Sequence, residues 1–291
     1  MIAGRLSFST DAIVIGANLS PEYITYFAIG ARLTEYCKTA IRSATTVLTP
    51  AISALEAKGD IDRVRRIFLT GSRCVAWVVT PVQLTLVCLG YEFLAIWISG
   101  DVADEAYLPM VCLAVPLSIT LSQSIAGRIF YGVGRLKWFA AAAVSEAIAN
   151  LGLSLVLVHP YGITGVAIGT MVPNILFSLS IATAACQFLG LKAARYLVNT
   201  FSRPLLAAAL PLMLWSGMRE IFGAPCTWGE LAVFGVSGLS LFGLIGVLLE
   251  PRARFVTANW LSIIMSRSRL STNLCEQLER FQLKCSGIRN A

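Results

Sequence analysis

Charge is what this chain has least of. Asp, Glu, Lys and Arg make up 13% of its 291 residues, against roughly 25% in soluble globular chains. So few charges cannot cover the surface of a chain this long in water, and a water-soluble fold is excluded. Histidine is nearly missing as well: His159, beside Pro160 at a helix end, is the single one, and we read it as an ordinary loop residue. Eight cysteines are present, but none stands in a CxxC pair and most lie inside apolar runs, where cysteine acts as a small hydrophobe. That excludes a disulfide framework and a zinc site. Walker A, HExxH and GxSxG patterns are absent, so neither a built-in ATP module nor hydrolytic or metal chemistry has residues to work with. Transport fits better than catalysis. We expect no enzyme activity, no cofactor and no nucleic-acid partner.

What is present is apolar sequence in long runs. Hydrophobic residues reach 56%, and the mean hydropathy is +0.73. Runs of about 20 residues cross a hydrocarbon core of about 30 Å. We read eight such segments, roughly 3–19, 22–55, 65–89, 107–131, 136–158, 162–189, 203–222 and 228–249. The fold class expected is therefore all-α, a polytopic membrane helix bundle of about eight spans. A short apolar piece from Tyr91 to Ile98, with Trp97, reads as an interfacial segment. After Pro251 follows a polar tail to Ala291, in which 255–265 could lie along a membrane surface. No short h-region with a small-residue cleavage site precedes the spans, so no removed signal peptide is expected.

The loops test this topology. EAKGDIDRVRR carries Lys58, Arg63, Arg65 and Arg66, whereas SGDVADEA carries only acids. GVGRLK is basic and VHPYG uncharged. Lys192, Arg195 and Arg203 surround the sixth connection, Gly223 to Trp228 is uncharged, and PRARF follows the last span. Basic and non-basic loops alternate throughout, which places both termini in the cytoplasm by the positive-inside rule. Prolines 50, 81, 116, 173 and 211 interrupt helices, as is tolerated where neighbours or water satisfy the freed backbone groups. Gly165 and Gly169 have the GxxxG spacing of a close helix approach. The first segment, with Arg5 and Asp11, is short and polar. It reads as the end of a longer helix, with Met1 an internal start or the chain a piece of a larger protein.

Ionisable residues inside spans are the candidates for function, because each at the bilayer centre costs about 2.5–3.5 kcal/mol on insertion scales. In the second segment Arg32, Glu35, Lys38 and Arg42 fall within about 120° of one another on a helix. This stripe should face a water-filled or protein-lined interior. With Glu35 paired to Arg32 or Lys38, it would present a net positive face suited to phosphate or pyrophosphate. The alternative is an internal ion-pair ladder with Arg42 snorkelling towards the cytoplasm. Asp11, and Glu146 with Asn150 one turn on, are candidates for ion or proton coupling. Asn150 equally suits a hydrogen bond across a helix interface. Gln123 and Arg128 in the fourth span are further cavity candidates.

Several stretches carry a family resemblance. TDAIVIGANLS with ITYFAIGARL, LTPAISALEAKGD, FLAIWIS and above all SEAIANLGLSLVLVHPYGITGVAIGTMVP resemble, in order and spacing, the C-terminal half of the polysaccharide-transporter and O-antigen flippase branch of the multidrug/oligosaccharidyl-lipid/polysaccharide (MATE-like) exporter superfamily. The resemblance covers roughly residues 8–190. It implies that 1–190 form the second of two six-helix lobes, that 191–250 add two helices, and that 251–291 are a basic cytoplasmic tail. The first lobe is then missing. It further implies a bacterial inner-membrane, multi-pass protein that moves an undecaprenyl-diphosphate-linked oligosaccharide across the bilayer. A missing six-helix lobe and the polymerase or chain-length machinery are the implied partners, in lipopolysaccharide O-antigen or similar biosynthesis. Arg32, Lys38 and Arg42 would then meet the diphosphate. The alternatives are a drug or cation antiporter of the same superfamily, with an acidic or aromatic cavity, and a non-transporting membrane assembly partner.

Overall fold

The computed structural model describes residues 2–134 and 136–249, with side chains described from Thr10 onward except Leu136. The polar tail, including the stretch 255–265, lies outside the described residues, as do Arg135 and the side chain of Arg5. Among the described residues ten helices follow one another: α1 (Ile2–Asn18), α2 (Glu22–Thr46), α3 (Leu48–Ala57), α4 (Ile61–Trp97), α5 (Gly100–Ala114), α6 (Leu117–Ser122), α7 (Ser124–Gly132), α8 (Leu136–Phe188), α9 (Ala193–Phe222) and α10 (Trp228–Leu249). No strand occurs among the described residues. The chain is an all-α polytopic membrane bundle. Met1–Leu244 form one compact unit; of the other, Ile245–Ala291, only the end of α10 is described.

Among the described residues five stretches are long and apolar enough to cross a membrane: α4, α5 with α6, α8, α9 and α10. Of the four described helices outside that set, α1 and α2 are informative. α1, at 17 residues, is short for a span, and α2 carries the charged stripe. The ten helices map onto the eight expected segments because breaks divide them. α2 ends and α3 begins at Val47. Pro50 cannot donate to the carbonyl four residues back, that of Thr46, and the hydroxyls of Thr45 and Thr46 turn back to the Arg42 carbonyl at 3.1 and 2.7 Å, a pattern that bends helices. α5 gives way to α6 at Pro116. There a neighbour steps in: Gln83 of α4 donates to the Val115 carbonyl at 2.7 Å and accepts from the Ser118 backbone N–H at 3.3 Å. Pro81, Pro173 and Pro211 lie inside helices that continue through them.

Two expectations are corrected. Tyr91–Ile98 is not a separate interfacial piece; α4 runs unbroken through it to Trp97. SGDVADEA is not a loop but the start of α5, with the Ser99 hydroxyl accepting from Val102 N–H at 3.4 Å as an N-cap. A capping serine followed by acids in the first turn is a helix start, and the connection shrinks to Ile98 and Ser99. The start of α10 shows a capping box, in which the Glu230 carboxylate accepts from Thr227 N–H at 3.3 Å, and also from Cys226 N–H at 2.8 Å, while Thr227 Oγ1 accepts from Glu230 N–H at 3.3 Å.

α8 is two limbs folded at Gly162, whose φ of 55° and ψ of −138° suit glycine. The limbs pack through the glycines expected to allow close approach. A Cβ at Gly165 would come within 2.0 Å of the Leu157 carbonyl, and one at Gly169 within 2.4 Å of Ser154 Oγ. α1 lies against α8, and α2 against α5. On the basic-loop side Arg65 donates to the Leu189 carbonyl at 2.7 and 3.0 Å, closing the end of α8 onto α4. α9 packs on α4, where Arg219 donates to the buried Glu92 at 2.5 Å. The largest apolar cluster centres on Phe68, Leu117, Ile125 and Tyr196, with the rings of Phe68 and Tyr196 stacked 4.5 Å apart.

If the α8 hairpin depends on this approach, Gly165→Ala should destabilise the protein by about 1–3 kcal/mol. Gly152→Ala, where an added Cβ meets nothing within 4 Å, should be nearly neutral. Thermal unfolding of both variants in detergent checks this, and equal melting temperatures would refute it.

Candidate functional site

The site begins with the apolar face of α1. Val14 and Ile15 are buried against Val158, Ile163, Val166 and Ala167 of α8. Asp11 stands three and four residues before them, on the same helical face, so the packing that buries the two aliphatic residues also buries the carboxylate. It is 3% exposed. Thr170, one turn beyond Val166 on the second limb of α8, donates to Asp11 Oδ2 at 3.1 Å. Asn150, on the first limb and equally buried, approaches the same hydroxyl at 3.5 Å and accepts from Ser154 Oγ at 3.1 Å. Ser154 also reaches the Val166 carbonyl at 3.4 Å.

This knot is short of partners. The single Thr170 hydroxyl hydrogen is shared among Asp11, Asn150 and the Val166 carbonyl at 3.2 Å. Asp11 Oδ1 and Asn150 Nδ2 are both buried without a hydrogen-bond partner. A buried group left unsatisfied costs about 1–3 kcal/mol. A carboxylate oxygen and an amide that turns over readily, set around a threonine hydroxyl, form a place where a proton or a hard cation would relieve that cost.

The α2 stripe divides. Glu35, Lys38 and Arg42 lie within about 60° of one another at 100° per residue, and they stay together. Arg42 pairs with Glu35 at 3.6 Å, both half exposed. Lys38 lies within electrostatic reach of Glu35, Arg42 and Asp11, which joins the stripe to the α1 knot. Glu146, one turn before Asn150 on α8, is within reach of Lys38 and Arg42. Arg128 of α7 donates to the Arg42 carbonyl at 3.2 Å, where α2 ends. Arg32 leaves this group. It stands about 120° from Lys38 round the helix and lines a groove with Tyr36 and Trp97.

One expectation changes accordingly. The stripe is not a simple net-positive face. Three carboxyl groups, Asp11, Glu35 and Glu146, stand among three cations, Lys38, Arg42 and Arg128, a formally balanced network contributed by α1, α2, α7 and α8. The residues Gln123 and Tyr196 belong elsewhere: Gln123 is buried in the core at the α6–α7 break, where it accepts from the Tyr196 hydroxyl at 3.1 Å. Thr170 and Ser154 were missed by the sequence reading, since a hydroxyl residue in an apolar helix has no pattern of its own. So was the Glu92–Arg219 pair, whose members are 127 residues apart.

With this geometry in view, one comparison bears on the chain. Residues 2–102 match the model of a family described as polysaccharide biosynthesis protein. The match covers about a third of the chain, running from α1 to the first residues of α5. It takes in Asp11, Glu35, Lys38 and Arg42, and stops short of Arg128, Glu146, Asn150 and Thr170. No curated protein matches the chain.

The Asp11–Thr170 contact should be measurable. In a double-mutant cycle of Asp11→Asn and Thr170→Val, unfolding in detergent should show a coupling of about 1 kcal/mol. Additive effects would mean that the two side chains do not interact.

Proposed function

We propose that this chain is the C-terminal portion of a lipid-linked oligosaccharide flippase of a bacterial inner membrane. Its cargo is an undecaprenyl-diphosphate-linked oligosaccharide, its termini are cytoplasmic, and it works against a first six-helix lobe as part of a polysaccharide-assembly system that includes polymerase or chain-length machinery. The match of its first third to a polysaccharide biosynthesis family supports the class of substrate. Helices long and apolar enough to span a membrane support transport rather than a soluble step. The reading assigns no covalent chemistry to the chain.

The observation that carries the mechanism is that Lys38 lies within electrostatic reach of the Asp11 knot as well as of Glu35, Arg42 and Glu146. The knot holds the unsatisfied oxygen of Asp11. A balanced network has no surplus charge for an anionic headgroup. When a proton or cation neutralises the Asp11 carboxylate, Lys38 loses one competitor and, with Arg42, can take the diphosphate. Cargo and coupling ion then assist each other's binding, and by linkage each raises the other's affinity by the same factor. Rocking of one lobe against the other would carry the site from one face to the other. A cation or drug antiporter draws support from the same carboxyls, Asp11 and Glu146, and separates from the flippase by what is carried.

The test is made on the intact gene product in cells that depend on it for surface polysaccharide. Lys38→Met and Asp11→Asn should each reduce surface polysaccharide at least tenfold, the scale of losing one charge-assisted contact, with membrane-inserted protein at its usual level. Lys38→Arg should retain part of the activity, and accumulation of cationic dyes should not change. Normal polysaccharide from Lys38→Met would remove the flippase reading and favour an assembly partner. Altered dye accumulation with normal polysaccharide would favour the antiporter.

A further inference from the structure

Pro81, Pro116, Pro173 and Pro211 interrupt four different helical crossings, and contacts between the helices put all four at one level. α4 and α9 run in the same direction. Phe68 stacks on Tyr196 and Arg219 reaches Glu92, so Pro211 is level with about residue 83 of α4. α5 and α6 run the opposite way. Thr80 Oγ1 lies 3.3 Å from Ser118 Oγ, and Gln83 donates to the Val115 carbonyl at 2.7 Å, so Pro116 is level with about residue 82. In α8 Gly169 lies on Ser154, which sets Pro173 level with about residue 150 of the first limb. That limb passes α7 where Phe139 faces Gly127 and Tyr131, so its residue 150 is level with about residue 118. Pro109 and Pro204 stand about two turns off this level, on opposite sides of it.

A proline ring withholds the hydrogen bond owed to the carbonyl four residues back, and helices kink where the ladder is open. Breaks at different depths would shear the packing between helices if they flexed. Breaks at one depth can bend together. Side chains from neighbouring helices tie the breaks to one another here: Gln83 holds the Val115 carbonyl and the Ser118 N–H on the two sides of Pro116. Such bonds satisfy backbone groups that the ladder has released.

The charged network straddles the same level. Thr170, the donor to Asp11, is one turn before Pro173. Gly30 of α2 lies against Ala106 and Met110 of α5, and the two helices run in the same direction. Lys38 is therefore level with about residues 116–118, and Arg42 lies about one turn further towards the basic loops.

We infer that Pro81, Pro116, Pro173 and Pro211 form a single hinge across the bundle. At this hinge the halves of the four crossings nearer the acidic α4–α5 turn swing together against the halves nearer the basic loops. The swing moves Asp11 relative to Arg42, with Lys38 at the pivot. Bending is a property of the bundle and does not depend on what is carried.

One hinge and four separate kinks differ in coupling, which amide hydrogen exchange of the full chain in lipid nanodiscs reads by mass spectrometry. Pro81→Ala restores a ladder bond in α4. Exchange should slow about fivefold, the scale of one backbone hydrogen bond, in 78–85 and equally in 112–120 and 207–215. Pro211→Ala should slow 78–85 and 112–120 in the same way, so either variant alone decides the question if the other does not fold. Pro204→Ala, off the level, should slow exchange in α9 only. Unchanged exchange in 61–69 is the sign that a variant keeps its fold. Slowing confined to the substituted helix would overturn the hinge, and so would slowing in all three segments from Pro204→Ala.

Discussion

The structure turns on the shelter given to one carboxylate. Asp11 is buried because Val14 and Ile15 on the same face of α1 pack into α8, and it survives burial because Thr170 donates to it. In a medium without water, each ionisable group must find a partner within the protein. The hairpin of α8 supplies this one. Its two limbs come close enough at Gly165 and Gly169 to place Asn150, Ser154 and Thr170 in one cluster. The glycine spacing and the polar knot are thus a single feature: without the close approach, the hydroxyls of one limb would not meet the amide of the other.

The same constraint explains how broken helices persist. At the Pro116 break the carbonyl of Val115 is taken by Gln83, a side chain from a different helix. At Val47 the Arg42 carbonyl gathers Thr45, Thr46 and Arg128. The second break lies at the end of the charged stripe, so the residues that satisfy backbone groups and the residues that carry charge meet at one point. A membrane bundle has few polar side chains, and here several serve both purposes.

Much of this was legible in the residues. The all-α membrane bundle of long apolar helices follows from apolar run length, and the close approach at Gly165 and Gly169 from their spacing. The pairing of Glu146 with Asn150 on one face of α8 follows from helical periodicity. The composition of the charged site was less legible. A wheel drawn for α2 alone groups Arg32 with Lys38 and Arg42 and makes the face cationic. It cannot register that α1 and α8 bring Asp11 and Glu146 to Lys38, nor that the far edge of the stripe faces Trp97. Helix continuity through Tyr91–Ile98 was also misread, because an aromatic run beside a charge change looks like an interface whether or not the helix stops there.

By itself the sequence determined that the chain is a membrane-spanning helical protein, since run length and scarcity of charge are properties of the chain and need no partner. It determined too which residues are costly in lipid, and hence where function should be sought. Tertiary structure alone decided which of those residues share a site. Partner choice among buried charges depends on distances between helices far apart in the chain, as with Asp11 and Thr170, 159 residues apart. Periodicity along one helix says nothing about which neighbour its face will meet.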